Sequence, residues 1–337
     1  MARIALVHDI AGVATVQAEI LRRAGHDVEQ IPLPAHGATW RWPIKALALP
    51  ARLVAFLPTI RKLRRGRYDV IHIHYVSQGI VGVLARRPFF AQAHGSDLHL
   101  NLTRGAYRGI TARVLEDARA VFYVSPNLPR YMPGYDSKLV YLPNPVELPA
   151  APPPTDVSRV LIFTRLHPVK GVERIFPAVE RLAARARVSA LNYGPLAPEY
   201  MRDYSRWVEF QKPIPHDQVG AFLAGFDVVI GQMLQGILGL MEIEALGVGR
   251  PVISAVDASL YPDDPPPVVY ASTPDEIVSA VDRLRANPAE LGEISRRGRE
   301  WAVRNHGYRR HLEILERTYF GRVRPPPTTR SATRPTP

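Results

Sequence analysis

Apolar and polar residues alternate along this chain in two recurring rhythms. A short apolar run, Arg3 to His8, is followed by Val13, Val16, Ile20 and Ala24 at helical spacing, and Gly25 stops the pattern. Further strands are predicted at Asp27–Ile31, Asp69–His74, Phe89–Ala93 and Ala120–Val124, with helical segments between them. Such β-α alternation predicts a parallel sheet covered on both faces. Ala150 to Thr155 holds three consecutive prolines, which supply no ladder donors and favour an extended spacer. The alternation then restarts, with strands predicted at Val160–Phe163, Ser189–Tyr193, Val208–Phe210, Val228–Ile230 and Pro251–Ser254. Helices are predicted at Val172–Ala186, Gln218–Ala224 and Leu238–Leu246, and a long helical region at Asp275–Tyr319. The expected fold class is α/β: two Rossmann-like, doubly wound domains facing a cleft, residues 1–150 and 151–320. The final helix is expected to be able to pack back on the first domain, and 321–337 to be a disordered Pro/Arg-rich tail.

Composition narrows the chemistry. The 337 residues contain no cysteine, which excludes disulfides, thiolate metal sites and a cysteine nucleophile. No apolar run reaches the roughly 18 residues of a membrane span, and the N-terminus reads as a first strand rather than a secretory signal, so a cytoplasmic location is expected. Residues 1–150 hold 19 Lys and Arg against 10 Asp and Glu, a net of +9, whereas the remainder carries +3. That asymmetry points to an anionic partner of the first half. Trp40 to Arg67 interrupts the alternation, mixing Trp40, Trp42, Phe56 and Leu57 with Arg61, Lys62, Arg64 and Arg65. A basic-aromatic segment of this kind suits an anionic membrane surface, while a packed surface helix with a solvated basic end is the plainer reading.

Several positions could carry chemistry. The Phe163–Gly171 stretch runs from a strand end through Arg165 and Lys170 to an expected helix start at Gly171. Helix-end N–H groups and two cations would hold a diphosphate, although spacing alone is equally compatible with a solvated loop. Gly236 and Gly239 precede a further helix, where backbone can approach phosphate. Glu242 and Glu244 lie two apart on that helix, so they cannot share a face. Gly247 and Gly249 follow a helix and precede a strand, the reverse of a dinucleotide fingerprint. His94 follows a strand end, where open α/β sheets place ligands, though a lone loop histidine is more often structural. His72 and His74 share a strand face without carboxylate or cysteine company, and are not expected to bind metal. Gly12 is a weak glycine signal in the first β-α turn. There is no P-loop, no His-Glu-x-x-His, no Gly-x-Ser-x-Gly and no Asp-x-Asp metal–diphosphate clamp.

Taken together these segments resemble the family 4 glycosyltransferases. The resemblance is carried by residues 69–74, by His94 to Asp97, by Leu142 to Glu147, by the Thr-Arg-Leu-x-x-x-Lys-Gly pattern of 164–171, and by Glu244 to Ile253. It implies the GT-B fold, a nucleotide-diphosphate sugar as co-substrate, transfer with retention of anomeric configuration, and no metal or other cofactor. It also implies that Arg165 and Lys170 bind the donor diphosphate, that Glu244 holds the ribose, that His94 sits beside the transferred sugar, and that Gly12 belongs to a loop near the reaction centre. The family has a second glutamate eight residues before the ribose-binding one, where this chain has Gly236. The donor sugar is then expected to be read by backbone and by Gln232 or Gln235, or activity has been lost and a nucleotide-sugar-binding protein remains. The basic first half suits a lipid-linked or otherwise anionic acceptor, and a peripheral position on the inner face of a membrane. A nucleic-acid partner has only the charge in its favour and is not expected.

Overall fold

The computed structural model describes residues 1–10, 12–34, 51, 54–101 and 105–321. The chain divides into two compact units, one formed by Met1–Pro143 with His311 onward, the other by Asn144–Arg310.

The first unit is built on a six-stranded parallel sheet: β1 (Arg3–Val7), β2 (Asp27–Ile31), β3 (Val70–His74), β4 (Phe90–Ala93), β5 (Val121–Tyr123) and β6 (Leu139–Tyr141), in the order β2-β1-β3-β4-β5-β6. Alternate residues of β1 serve opposite cores. Ala5 and Val7 pack with Ile71, Ile73, Ala91 and Leu115, and Ile4 and Leu6 pack with Val70, Phe90, Phe122 and Tyr319. Both faces are therefore apolar, as a sheet covered on two sides requires. The helix Val13–Arg23 begins where the Asp9 carboxylate accepts from the Ala14 N–H at 3.0 Å and the Thr15 hydroxyl at 2.7 Å. The last helix, Tyr308–Phe320, joins the first unit from His311 on and buries Ile314, Leu315 and Tyr319.

The second unit has β7 (Arg159–Ile162), β8 (Arg187–Leu191), β9 (Val208–Gln211), β10 (Val228–Ile230), β11 (Val252–Ser254) and β12 (Val269–Tyr270), in the order β12-β11-β10-β7-β8-β9. All pairings in both sheets are parallel. This order reverses direction at β7, the doubly wound arrangement that opens a crevice past the ends of β7 and β10. In the first unit the reversal falls between β1 and β3.

Several expectations need correction. The helix expected over Val172–Ala186 is two 3₁₀ turns, Val172–Arg174 and Phe176–Ala178, and a short helix, Val179–Ala183. Pro177 lacks the N–H that a continuous helix would use. The region Asp275–Tyr319 is three helices, Pro274–Ala286, Pro288–His306 and Tyr308–Phe320, interrupted at Asn287 and Gly307. The proline-rich stretch at 150–155 lies inside the second unit, where the Ala151 N–H donates to the Val248 carbonyl at 3.0 Å. The change of unit comes earlier, between Pro143 and Asn144. Strands β6 and β12, of three and two residues, were not expected. Residues 35–50, 52 and 53, which include the first part of the Trp40–Arg67 segment with Trp40 and Trp42, and the tail from 322 lie outside the described residues.

Candidate active site

In the second unit the loop after β7 and the loop after β10 are bound together. The Met233 N–H donates to the Lys170 carbonyl at 2.8 Å. Gly171 has φ +70°, and a Cβ there would lie 3.0 Å from the Met233 carbonyl carbon, so the close approach needs glycine. Lys170 Nζ reaches across, donating to Gln232 Oε1 at 2.9 Å and Gln235 Oε1 at 3.1 Å. Burial lowers the Lys170 pKa; the Glu242 charge works against that, and the Arg165 charge adds to it. The Arg165 guanidinium, on an exposed side chain, lies 5.6 Å from the centre of the Tyr193 ring.

Gln232 is fully buried, and both ends of its amide are occupied: Oε1 by Lys170, and Nε2 by the Ile237 carbonyl at 2.6 Å. Its place is therefore behind Lys170, holding it. The expected helix N-terminus beside Lys170 is not at Gly171, where only 3₁₀ turns follow. It is the start of the helix Leu240–Val248, with Gly239 as its N-cap. A Cβ on Gly239 would lie 3.8 Å from Lys170 Nζ, which places that helix start at the ammonium group.

The two glutamates of this helix have different tasks. Glu242 turns back, accepting from the Gln232 N–H at 2.7 Å and the Gly239 N–H at 3.0 Å. Gly231 makes room for it, since a Cβ there would sit 2.4 Å from Glu242 Cγ. Glu244 is buried, and its Oε1 lies 3.2 Å from His216 Nε2. Burial, helped by the nearby charge of Glu242, raises the Glu244 pKa to about 7. Gly236 has φ +69°, and a Cβ there would come within 3.3 Å of Asp257 Cβ. Its carbonyl accepts from the Asp257 N–H at 2.9 Å, so the absence of a glutamate at 236 follows from how this loop is built.

In the first unit the loops after β1, β3 and β4 carry the remaining candidates. His8 and Tyr75, directly after β1 and β3, both have positive φ, 67° and 73°, and their rings meet edge to face at 6.4 Å. Non-glycine residues in this region are strained and concentrate at functional loops. Gly12, also left-handed at φ +78°, precedes the helix Val13–Arg23. His94 Nε2 lies 3.2 Å from His74 Nδ1, and His74 stacks on His72 at 4.8 Å. The His72 Nδ1 in turn lies 2.6 Å from the Tyr319 hydroxyl. Burial lowers the pKa of His72 to about 3, that of His94 to about 4, and that of His74 well below its usual value. Asp97, fully buried, accepts from the His94 N–H at 3.1 Å and the Val76 N–H at 2.8 Å. It thereby ties the β3 and β4 loops together, and burial raises its pKa to about 6.

The site residues of each unit thus gather past the strand ends at its own reversal point. Lys170, Gln232, Gly239 and Glu242 form one connected group with Arg165, Gly236 and Glu244 close by in sequence or charge. Gly12 and His94 belong to the other unit. Sequence reasoning missed His216, Asp97 as a loop tie, and the capping role of Glu242. For Asp97 the signal was present, in the motif beginning at His94. His216 had none beyond a proline-rich loop. Among the described residues no group of three or more His, Asp or Glu side chains is placed to hold a metal ion.

Two Rossmann-like units, each with its candidate residues past the strand ends at a reversal point and with Lys170 and Arg165 at that of the second, have the architecture of the GT-B glycosyltransferases. A model described as "Glycosyl transferase 4-like domain" matches residues 10–145, and one described as "Glycosyl transferase-like" matches 173–317. The two models together span most of the chain, which belongs to the family 4 glycosyltransferases. It is 26% identical over 323 residues to a GDP-mannose-dependent alpha-(1-6)-phosphatidylinositol monomannoside mannosyltransferase of Mycolicibacterium smegmatis, with 81% of this chain and 83% of that protein covered. Among solved structures it is similar to sucrose-phosphate synthase of Thermosynechococcus elongatus (TM-score 0.73, 19% identity, 95% and 98% of the two chains). It is also similar to Anabaena HepE in complex with UDP and glucose (TM-score 0.70, 14% identity, 94% and 99%).

Proposed function

We propose that the second unit binds the diphosphate of the sugar donor on Lys170 and Arg165, and that transfer proceeds with retention at the anomeric carbon and without a metal ion. The observation that carries this is the position of Lys170 Nζ: in the β7–β10 crevice, at the start of the helix Leu240–Val248, with two of its three protons on glutamine carbonyls. A phosphate oxygen takes the third. As the glycosidic bond to the diphosphate breaks, negative charge grows on the leaving group. Lys170, Arg165 and the unpaired N–H groups of that helix start stabilise it. An acceptor hydroxyl attacks the face that the diphosphate leaves, through an oxocarbenium-like transition state, and a phosphate oxygen takes its proton.

Glu244 is assigned to the nucleotide ribose. A carboxylate can accept from both ribose hydroxyls, and in the free protein His216 occupies one of its oxygens. We assign the acceptor to the first unit, at the loops of Gly12 and His94. For the acceptor we favour a lipid-linked or anionic molecule, and for the location a peripheral position on an anionic membrane. The support is the net charge of +9 in residues 1–150 and the helix Leu57–Arg65, which buries Thr59, Ile60 and Leu63 and exposes Arg61, Lys62, Arg64 and Arg65. No helix among the described residues is long and apolar enough to cross a membrane. The GDP-mannose dependence of the mycobacterial relative makes GDP-mannose the first donor to try, and the HepE complex makes UDP-glucose the second. Thermal unfolding with UDP, GDP, UDP-glucose and GDP-mannose tests the donor site. A rise in Tm with at least one of them, lost in Lys170→Ala, is expected; no rise with any of them contradicts the proposal.

A further inference from the structure

The two carboxylates of the helix Leu240–Val248 are provided for very differently. Glu242 has both oxygens on backbone N–H groups. Glu244 is just as buried, yet among the described residues no backbone N–H and no hydroxyl donates to it. The group that reaches it is His216, whose Nε2 lies 3.2 Å from Glu244 Oε1. The Glu244 side chain is 5% exposed and that of His216 66%, so the imidazole covers the carboxylate from the solvent side. Pro213 and Pro215 restrict the chain just before His216, which opens the turn His216–Gln218.

Burial and the negative charge of Glu242 push Glu244 towards its neutral form. A protonated His216 works against both, because it sets a positive charge at ion-pair distance from a carboxylate that water barely reaches. Among the described residues no other cation pairs with Glu244. The helix Val219–Ala224, in the same core, carries no charged residue. From the helix Pro288–His306, Arg299 reaches the Leu148 and Gly247 carbonyls instead. Asp217, next to His216, is exposed.

We propose that His216 is a positioning residue of the donor site, which keeps the Glu244 carboxylate ionised and holds it by Oε1, leaving Oε2 to the ligand. This rests on Glu244 holding the nucleotide ribose. His216 need not touch the nucleotide, since it acts through the charge of Glu244. A carboxylate has about four lone-pair sites, so His216 at one of them leaves enough for both ribose hydroxyls. The help matters only where the carboxyl would otherwise be protonated. With a pKa of about 7 set by burial and Glu242, about one Glu244 in ten is ionised at pH 6 without a counter-charge, and nearly all are at pH 8.5.

Calorimetric titration of the full chain with UDP and GDP, and with the 2′,3′-dideoxy form of each, tests this at pH 6 and pH 8.5. The quantity read is the hydroxyl increment, the Kd of the dideoxy form divided by that of its parent, in wild type, His216→Ala and His216→Lys. Titration of the phosphates and of Lys170 is common to both ligands and cancels in this ratio. A melting curve at each pH reports folding. In His216→Ala the increment should fall about three- to five-fold at pH 6, the worth of one partly exposed ion pair, and less than two-fold at pH 8.5. His216→Lys keeps a positive charge and should restore the pH 6 value. A fall of the same size at both pH values would mean a merely structural role and overturn the proposal. A rise in His216→Ala would make His216 a competitor of the ribose and overturn it as well. Equal increments in all three proteins would overturn it while leaving the ribose site intact. If wild type binds the dideoxy forms as tightly as their parents, Glu244 is not on the ribose. If it binds neither nucleotide, the donor-site reading itself falls. Either result takes the role of His216 with it.

Discussion

Lowering the pH from 7 to 5 should destabilise the first unit and leave the second almost unaffected. In the first unit His72, His74 and His94 are held neutral by burial, with pKa values of about 3 for His72 and about 4 for His94. In the unfolded chain each binds a proton near pH 6.5. Between pH 6.5 and the folded pKa the unfolded state therefore holds more protons, and stability falls as the pH falls. For each ring that stays neutral at pH 5 the loss is about 2 kcal/mol, hence about 6 kcal/mol at most for three. Asp97 acts in the opposite sense. Its pKa is raised to about 6 in the folded state, so the native form gains protons on acidification and recovers about 1 kcal/mol. In the second unit the buried His306, with its pKa lowered to about 4, loses about 2 kcal/mol. Glu244, raised to about 7, returns about the same amount over this range. Hydrogen exchange followed on peptides covering β3 and β10, corrected for intrinsic rates, separates the units. The β3 peptide should lose several kcal/mol of protection at pH 5, and the β10 peptide about none. Equal losses in both units, or none in β3, would refute the assignment of neutral histidines.

Other outcomes follow from the same geometry. Glu244→Gln should weaken binding of the nucleoside diphosphate and of its sugar nucleotide by a similar factor, since the ribose is common to both; unchanged diphosphate affinity by calorimetry would remove Glu244 from the ribose site. Gly236→Glu should not act as a gain of a sugar-reading glutamate. The left-handed backbone and the Asp257 contact should cost about 1–3 kcal/mol, visible as a lowered Tm and reduced turnover. Wild type should sediment with anionic vesicles and less so with neutral ones, in a salt-sensitive way, at about 1 kcal/mol per basic residue near the surface. A variant with Arg61, Lys62, Arg64 and Arg65 all changed to Ser should lose this binding; wild type indifferent to lipid charge would point to a soluble acceptor.

Several buried strands were legible in the sequence because their apolar runs stand out between helical segments. Asp27–Ile31 and Val228–Ile230 match the expected bounds, and β3 is apolar enough to announce a strand buried on both faces. Strands β6 and β12 were not legible, since each is two or three residues long beside a proline-rich stretch, Pro143 and Pro145 after β6 and Pro265–Pro267 before β12, which reads as loop. The break after Gly171 was legible in principle, because Pro177 stands in the middle of the expected helix. Of the site, Lys170 and Arg165 could be read from a strand end followed by cations. The pairing of Glu244 with His216 could not, because 28 positions separate two residues brought together only by the packing of the sheet. The difference between Gln232 and Gln235 was equally hidden. It depends on which amide is buried, and two glutamines three apart in a loop look alike until the Ile237 carbonyl is placed.

The central claim is that Lys170 stabilises the diphosphate as it leaves. Release of nucleoside diphosphate from GDP-mannose or UDP-glucose, with and without a lipid extract as acceptor source, should be compared in wild type and Lys170→Ala. Once a donor that wild type turns over is found, Lys170→Ala should lower kcat/KM by about 100-fold or more, with most of the loss in kcat, because the interaction strengthens as charge develops. Near-normal turnover in Lys170→Ala, with the protein folded, would contradict the account.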